Sequence, residues 1–380
     1  MNKNDNAFNR RNDMDWLKNM AILLLIPFHA ARVFDYWEPY YVMNADQSWV
    51  LSWIIAISSY WPMPLLFFLA GAASRYALFF RTNREYLRER FNKLFIPLII
   101  GIVLIVPPQC YYALKYHHNF DGNYFDSLII FFTDYSNVTG YFGSFTPAHL
   151  WFILYLFIMS CLLIMLKNKL NKIMNKGWIK SKWLLLLLFV SLPFSEALLT
   201  LGDKDLFYFF IFFIVGYIIG TDEKIRETIK RLRFKCLLIL ILYIPVWFTL
   251  AYINQNAADF SAISIILAFI RNFALLLTLV VILGYGQMFA SINNKFLKYM
   301  NEAAFHIYIL HQSIIVAISY YIVKLEIGIF FKFVLISLLT LLICICLYEV
   351  IKRMSIIRWM FGMKTLKRGK FDSNTPVKLH

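Results

Sequence analysis

The chain has 380 residues, of which 60% are hydrophobic and 18% aromatic, and its formal net charge at pH 7 is +16. A positive charge of this size is compatible with nucleic-acid binding. The cations alternate with long apolar segments, however, so the charge pattern indicates an orientation in a membrane instead. The composition excludes an ordinary soluble protein and predicts an all-α, polytopic transmembrane helical bundle.

Hydropathy predicts about ten spanning helices in a single transmembrane domain, residues 1–351, followed by a basic tail, residues 352–380. The predicted spans cover residues 16–36, 50–72, 94–114, 148–166, 183–200, 205–221, 236–254, 262–286, 302–323 and 329–351. Most Lys and Arg residues fall in the N-terminal segment, in alternate loops and in the tail. The positive-inside rule therefore predicts cytoplasmic termini, a multi-pass protein of the cell membrane, and no nucleic-acid partner.

The first apolar segment carries two polar side chains, Lys18 and His29, eleven positions apart. Eleven residues bring an α-helix back to within about 20° of its starting face and extend it by about 16 Å. The two side chains therefore share one stripe, and polar groups at membrane depth indicate a lined, functional cavity. Asp15 either pairs with Lys18 or interacts with the positive end of the helix dipole.

A basic loop, residues 73–93, contains a candidate phosphate-binding set. Its members are Arg75, Arg88, Arg90 and Lys93. Guanidinium groups bind phosphate bidentately, whereas a lysine binds it as a point charge. The alternative is that these cations only orient the chain, since every loop on that side is basic.

Polar residues also lie in three later spans. His149 and Trp151 begin the fourth span. The imidazole of His149 either takes part in a functional site or is a capping or membrane-interface residue. Arg271 lies in the middle of the eighth span, where an unpaired guanidinium is costly. It therefore serves either a cavity or an ion pair, with Glu196 or Glu349 as the natural partner.

The ninth span carries Glu302, His306, Tyr308 and His311. Tyr308 and His311 are neighbours at i, i+3, and Glu302 and His306 are neighbours at i, i+4. His311 is expected about as deep in the membrane as His29. These residues either support His29 or make hydrogen bonds between helices.

Several catalytic signatures are absent from the sequence. It has no Gly-x-Ser-x-Gly elbow, no phosphate-binding Walker loop, no paired-cysteine metal site and no His-Glu-x-x-His. We therefore expect no metal site and no tightly bound cofactor.

Four stretches, in order along the chain, resemble one family. They are Asp15-x-x-Lys18 with ten residues before His29; Pro62–Arg75, leading into Arg90–Pro97 and Pro107-Pro108-Gln109; His149-Leu150-Trp151-Phe152-Ile153-Leu154-Tyr155-Leu156; and Phe305-His306-Ile307-Tyr308-Ile309-Leu310-His311-Gln312. Together they resemble the acyltransferase 3 family of integral-membrane proteins, and within it the glucan-succinylating branch (glucan biosynthesis protein C). The similarity spans about residues 10 to 360.

The resemblance implies transfer of an acetyl or succinyl group from cytoplasmic acyl-CoA, a co-substrate, to a hydroxyl of an extracytoplasmic carbohydrate. His29 is then the general base on that hydroxyl or a transient acyl carrier. Lys18 either meets CoA or snorkels to the inner surface. His149 orients the acceptor or holds His29 in one tautomer, and Arg271 stabilises the thioester oxyanion or an acyl carboxylate. The family commonly has Arg where Lys93 stands, which puts bidentate phosphate binding there in doubt.

A permease or flippase is the main alternative, with His29 and Arg271 in a glycan or anion pathway. Transporters often contain two halves with matching interrupted helices. The proline break at Pro62 and Pro64 has no clear counterpart in the second half, which weakens this alternative. A third alternative is a non-catalytic partner in polysaccharide assembly, but it gives no reason for a polar stripe from Lys18 to His29. The sequence does not predict an oligomeric state.

Overall fold

The computed structural model describes residues 11–175, 182–195, 204–258 and 261–363. In these ranges the regular structure is helical and contains no strand. The first part of the chain forms α1 Asn12–Ala31, α2 Trp49–Ser59, α3 Pro62–Phe80, α4 Asn83–Arg90, α5 Ile96–Ile100, α6 Pro107–His117, α7 Tyr124–Thr133 and α8 Trp151–Asn175. The later part forms α9 Lys182–Ser195, α10 Leu206–Ile219, α11 Glu223–Ile253, α12 Ala262–Gly286, α13 Lys295–Ile322, α14 Ile329–Ile351 and α15 Ser355–Met360.

Eight helical segments in the described ranges are long and apolar enough to cross a membrane. They are Asn12–Phe34, Trp49–Phe80, Asn83–His117, Ala148–Lys172, Glu223–Ile253, Ala262–Phe289, Lys295–Ile322 and Ile329–Ile351. The two other predicted spans, 183–200 and 205–221, coincide with α9 and α10, each 14 residues long as described. The all-α membrane bundle is therefore confirmed.

The predicted span 50–72 is in fact two helices. α2 ends at Ser59, the chain bends at Tyr60 and Trp61, and α3 begins at Pro62 and continues to Phe80. The bend occurs where it does because proline has no amide hydrogen to continue the preceding helix and is well suited to the first position of the next one. The bend matters for function, since Pro62 lines the cavity described below.

The short helix α10 packs unusually close to α3. Gly71 of α3 and Gly216 of α10 face the opposite backbone, and a Cβ atom on either would overlap the carbonyl oxygen of Phe213 or Phe68, respectively. Small residues at a crossing let two membrane helices approach within backbone contact and gain packing energy. This contact places the start of α10 beside α8 and the cavity.

The path from α4 to α6 contains two π-helical turns, Phe91–Phe95 and Gly101–Ile105. After the second turn, the amide of Gln109 bonds the carbonyl of Val106 at 2.9 Å rather than that of Ile105. The Ile105 carbonyl instead accepts a 2.5 Å hydrogen bond from the Ser313 hydroxyl of α13. π-turns are frequent at functional sites, and this one joins α6 to the helix that carries His311.

Two non-helical segments fold over the end of α1. The first, residues 35–48, is held by hydrogen bonds from the Asn44 amide to the Val33 carbonyl and from the Ser48 amide to the Phe34 carbonyl, at 2.8 and 2.9 Å. The second, residues 134–147, follows α7 and lies against the first, with the Tyr41 hydroxyl 3.3 Å from the Thr139 carbonyl. We call this end of the bundle the His29 side and the opposite end the Lys18 side.

The segment after α14 returns to the bundle on the Lys18 side. α15 is followed by Gly362, whose backbone lies against Lys93 and Pro97 of the α4–α5 region. The Nε2 atom of His306 contacts the carbonyl oxygen of Phe361 at 3.2 Å. The first residues beyond 351 therefore pack on the helices rather than leaving them at once.

Candidate active site

A cavity of about 730 Å³ opens on the His29 side. Its walls come from the end of α1, the bend between α2 and α3, the two folded-over segments, the start of α8 and the middle of α13. Its lining includes His29, His149, Trp151, Tyr308 and Gln312. All four motifs, although distant from one another in sequence, contribute to the lining, because Pro62 of the second motif also lies there.

His29 lies at the wall of this cavity and keeps partial exposure. Its Nδ1 atom is buried and makes no hydrogen bond within the described structure. The ring stacks on Tyr40 with centroids 6.4 Å apart, and the ring of His311 lies 5.3 Å away at a 44° tilt. His29 is therefore held between an aromatic wall and a second imidazole.

His311 and His149 complete a group of three imidazoles. Their ring centroids lie 5.0 Å apart, and the two residues are 1% and 6% exposed. His311 Nδ1 is 2.7 Å from the Tyr308 carbonyl, and His149 Nε2 is 2.8 Å from the Ile309 carbonyl.

The backbone contacts fix the tautomers of these two histidines. A carbonyl oxygen can only accept, so His311 Nδ1 and His149 Nε2 carry the protons. In the neutral rings His311 Nε2 and His149 Nδ1 are then bare acceptors, and both are buried without a hydrogen bond in the described ranges. The α13 backbone thus presents two proton-accepting nitrogens beside His29.

Tyr308 and Trp151 form part of the wall. The Tyr308 hydroxyl donates to the backbone carbonyl of His149, so its proton is engaged in holding α8 against α13. The Trp151 ring packs edge-on against Tyr155 at 5.4 Å and lies 5.1 Å from Phe209 of α10. Both residues line the cavity.

Lys18 lies at the other end of α1 and does not line this cavity. Its Nζ is 3.6 Å from Asp15 Oδ1 and 3.3 Å from Asn301 Oδ1. Asn301 Nδ2 in turn donates to Asp15 Oδ2 at 3.0 Å. The predicted pairing of Asp15 with Lys18 is therefore present, and Asn301 of α13 extends it into a polar group on the Lys18 side.

The predicted phosphate-binding set divides into a half-buried and an exposed part. Arg90 donates to Ser74 Oγ at 3.2 Å and lies over the Tyr86 ring at 4.9 Å, while Arg75 approaches the Tyr217 carbonyl at 3.4 Å. Arg88 and Lys93 are exposed, and Lys93 pairs with Glu89 at 2.7 Å. Arg90 is therefore fixed to α3 through Ser74 and Arg75 approaches α10, whereas Arg88 and Lys93 are exposed.

Arg271 is half-buried on α12 and does not line the cavity. Glu196, one expected partner, lies outside the described residues. The other, Glu349, accepts from Lys352 at 2.6 Å and from the Tyr299 hydroxyl at 3.0 Å. Asn272, next to Arg271, accepts from the Tyr208 hydroxyl at 2.9 Å and so joins α12 to α10.

Glu302 is exposed and lies away from the cavity. Its backbone carbonyl, rather than its carboxylate, meets His306 Nδ1 at 2.9 Å. Since the other nitrogen of His306 contacts the Phe361 carbonyl, this histidine secures the segment after α15. The i, i+4 spacing correctly predicts that Glu302 and His306 lie close together, but His306 contacts the backbone carbonyl of Glu302 and not its carboxylate.

Four charged lining residues are not found by the sequence analysis: Arg32, Asp35, Glu38 and Lys204. Arg32 follows His29 by one helical turn, so its i, i+3 spacing was an available signal. Its guanidinium bonds Asp35 at 2.8 Å and Glu38 at 2.7 Å. Lys204 precedes α10, and no spacing in the sequence relates it to His29.

Metal ligation has no support in the described ranges, where no group of three His, Cys, Asp or Glu side chains is arranged to hold an ion.

The chain matches the acyltransferase 3 family, described as an acyltransferase domain, over residues 11–349. The chain belongs to this family. Searches of curated proteins and of solved structures gave no match.

Membership in the acyltransferase 3 family makes the chain a multi-pass membrane acyltransferase, with an acyl donor and an acyl acceptor as substrates. The family match covers α1 to α14 and therefore every wall of the cavity. The histidine group is thus part of the acyltransferase domain itself and not an addition to it.

Proposed function

We propose that the protein transfers an acyl group, acetyl or succinyl, from cytoplasmic acyl-CoA to a carbohydrate hydroxyl on the far side of the cell membrane, as in the glucan-succinylating branch of the family. The observation that carries the proposal is the position of His29. It lies in a cavity large enough for a sugar, beside two imidazoles whose bare nitrogens can accept protons. Aromatic walls with a few polar groups are typical of carbohydrate sites.

In the first form of the reaction, His29 acts as general base. It removes the proton of the acceptor hydroxyl as the oxygen attacks the thioester carbonyl carbon. The tetrahedral intermediate then collapses, the carbon–sulfur bond breaks, and the imidazolium returns the proton to the CoA thiolate. A neighbouring neutral imidazole stabilises the imidazolium by accepting a hydrogen bond from its other nitrogen.

In the second form, a nitrogen of His29 attacks the thioester and CoA leaves as the thiol. The acceptor hydroxyl then attacks the acyl-imidazole and loses its proton to the released imidazole or to His311. The two forms differ in whether acyl enzyme accumulates without acceptor. A burst of CoA release, up to one equivalent per protein, on incubation with donor alone separates them.

The donor is proposed to enter from the Lys18 side. Lys18, Arg75 and Arg90 lie there, with Arg90 bonded to Ser74 of α3 and Arg75 near the Tyr217 carbonyl of α10. Cations of this kind suit the phosphates of CoA. Transfer then joins a donor from one side to an acceptor from the other along α1, over a distance of about 16 Å from Lys18 to His29.

Cytoplasmic termini follow from the same proposal, because the loops of the Lys18 side carry most of the Lys and Arg residues. Single cysteines placed at exposed Arg84 and exposed Glu38, in a chain without its native cysteines, test this orientation. An impermeant maleimide added to whole cells should label the cysteine at 38 and leave that at 84 unlabelled. The reverse pattern contradicts the orientation.

Activity is tested with purified protein in lipid nanodiscs, radiolabelled acetyl-CoA or succinyl-CoA, and gluco-oligosaccharides as acceptors. The proposal predicts label in the oligosaccharide in proportion to CoA released. His306→Gln is the matched control, since this buried histidine hydrogen-bonds the Glu302 and Phe361 carbonyls and does not line the cavity. Failure of every donor and acceptor pair to yield labelled glycan contradicts the proposal.

A further inference from the structure

Among the described residues, four charged side chains line the cavity: Arg32, Asp35, Glu38 and Lys204. Three of them form one closed group. The Arg32 guanidinium bonds both carboxylates, at 2.8 and 2.7 Å, and also the Pro39 carbonyl at 2.9 Å. These bonds use three of the five N–H donors of Arg32, and the two carboxylates balance its charge. Arg32 is therefore committed to its own carboxylates and is not the cation that meets a substrate.

Lys204 is the cation that remains. Its backbone carbonyl accepts a 2.7 Å hydrogen bond from the Tyr155 hydroxyl, which fixes the main chain at this point against α8. Its ammonium has no hydrogen bond or ion pair within the described ranges, although the residue is half-buried. It lies close enough to His29 to interact with it electrostatically. A half-buried ammonium without an anionic partner is costly.

The other lysines of the His29 side show what a structural lysine does here. Lys332 is buried and donates to Asn44 Oδ1 and to the Val323 carbonyl, both at 2.8 Å. Lys324 lies over the Tyr320 ring at 3.9 Å, and Lys115 lies over the Tyr111 ring at 5.1 Å. Each has a partner in the protein, whereas Lys204 faces the cavity.

Topology does not account for Lys204 either. In the proposed orientation it lies on the external side, where the positive-inside bias disfavours lysine. A lysine that snorkels sends its ammonium to the water at the membrane surface. Lys204 instead lines the same cavity as His29 and Trp151.

We propose that Lys204 binds an anionic group of the substrate, a carboxylate or a phosphate ester, within the cavity. This inference rests on the proposed acyl transfer and specifies its substrate class. The anion has two possible sources, which share this chemistry. It belongs either to the acyl group, as in a dicarboxylic acyl chain whose far end reaches Lys204, or to an acidic acceptor glycan.

The test compares charged and neutral substrates in both positions. Donors are succinyl-CoA and acetyl-CoA; acceptors are a glucuronate-containing oligosaccharide and a neutral gluco-oligosaccharide. Variants are Lys204→Met, Lys204→Arg and, as matched control on the same side, Lys324→Met. The measured quantity is the ratio of kcat/KM for the charged substrate to that for its neutral counterpart.

In the wild type this ratio should exceed one in the donor arm or in the acceptor arm, and the arm identifies the source of the anion. Lys204→Met should lower that ratio about tenfold, as expected for loss of one charge-assisted hydrogen bond. Lys204→Arg and Lys324→Met should keep it within about twofold. An equal ratio in the wild type and in Lys204→Met in both arms overturns the inference.

A binding measurement decides the matter even where no transfer occurs. Succinate and inorganic phosphate should raise the melting temperature of the wild type, because a ligand that binds only the folded state stabilises it. Neutral succinamide should not, and Lys204→Met should lose the rise while keeping its unliganded melting temperature. Equal shifts in the wild type and in Lys204→Met overturn the inference, whereas absence of glycan labelling alone contradicts only the acyl transfer.

Discussion

The imidazole rings of His29 and His311 lie 5.3 Å apart, and each has one buried nitrogen that makes no hydrogen bond in the described structure. His311 Nδ1 donates its proton to the Tyr308 carbonyl. Toward His29, the neutral His311 ring can therefore act only as a hydrogen-bond acceptor. A small rotation that joins the two unpartnered nitrogens would fix His29 with its other nitrogen unprotonated. That nitrogen is the one a base or nucleophile needs.

His311→Gln should therefore lower kcat for acyl transfer about 10²-fold while KM for acyl-CoA stays nearly constant. The physical reason is loss of the acceptor that orients His29 and stabilises its charged form. The pH dependence of kcat should change as well, which loss of packing alone does not cause. His306→Gln is the control, and equal losses in the two variants contradict this role for His311.

Arg90→Gln should raise KM for acyl-CoA about tenfold with a smaller change in kcat, because a guanidinium on phosphate contributes to binding rather than to the chemical step. Arg90 is a half-buried member of the basic set, fixed by Ser74 and the Tyr86 ring. Arg84→Gln, at an exposed position of the same helix, is the control. Initial rates over a range of donor concentrations measure the effect. A change confined to KM for the acceptor would place Arg90 outside the donor site.

Gly216→Ala should destabilise the bundle by about 1–3 kcal/mol, since the added methyl group forces α10 away from α3. The Cβ atom would overlap the carbonyl of Phe68. Gly328→Ala is the control, because its nearest neighbour, on Phe331, would lie 3.9 Å away. Melting temperatures in detergent should fall for the first variant only. An unchanged melting temperature for Gly216→Ala would show that the crossing of α3 and α10 can widen freely.

Lys332→Met should weaken the wall formed by residues 35–48. The ammonium donates to Asn44 of that segment and to the Val323 carbonyl, and the variant leaves both acceptors without a donor at a cost of about 1–3 kcal/mol. Faster amide hydrogen exchange in residues 35–48 and a lower melting temperature should follow. Lys324→Met should change neither, and a variant that exchanges as slowly as the wild type contradicts the role of Lys332.

Sequence reasoning was strongest where one helix determines the answer. Hydropathy predicts the membrane helices, and an eleven-residue spacing correctly places Lys18 and His29 on α1. The i, i+3 pairing of Asp15 with Lys18 is also present. The equal depth predicted for His29 and His311 agrees with the 5.3 Å between their rings. These relations follow from helical geometry and the thickness of the membrane.

Prediction from the sequence was weakest where segments without a periodic pattern contact one another. The cavity walls at 35–41 and 137–149 have no repeating pattern, and their contacts depend on side chains far apart in the chain. Helix α7, inside the predicted connection 115–147, was missed because it is short, although Asn123 and Asp126 form a capping box there. Lys204 meets His29 only through the packing of α10 against α3 and α8, which no local spacing encodes.

The most direct test of the account is transfer by His29→Gln. The variant keeps a polar side chain of similar size but has neither a base nor a nucleophilic nitrogen, so transfer of labelled acyl group from acyl-CoA to glycan should fall at least about 10³-fold. Its melting temperature and binding of acyl-CoA should remain close to those of the wild type. A folded His29→Gln variant that labels the glycan at the wild-type rate contradicts the central claim.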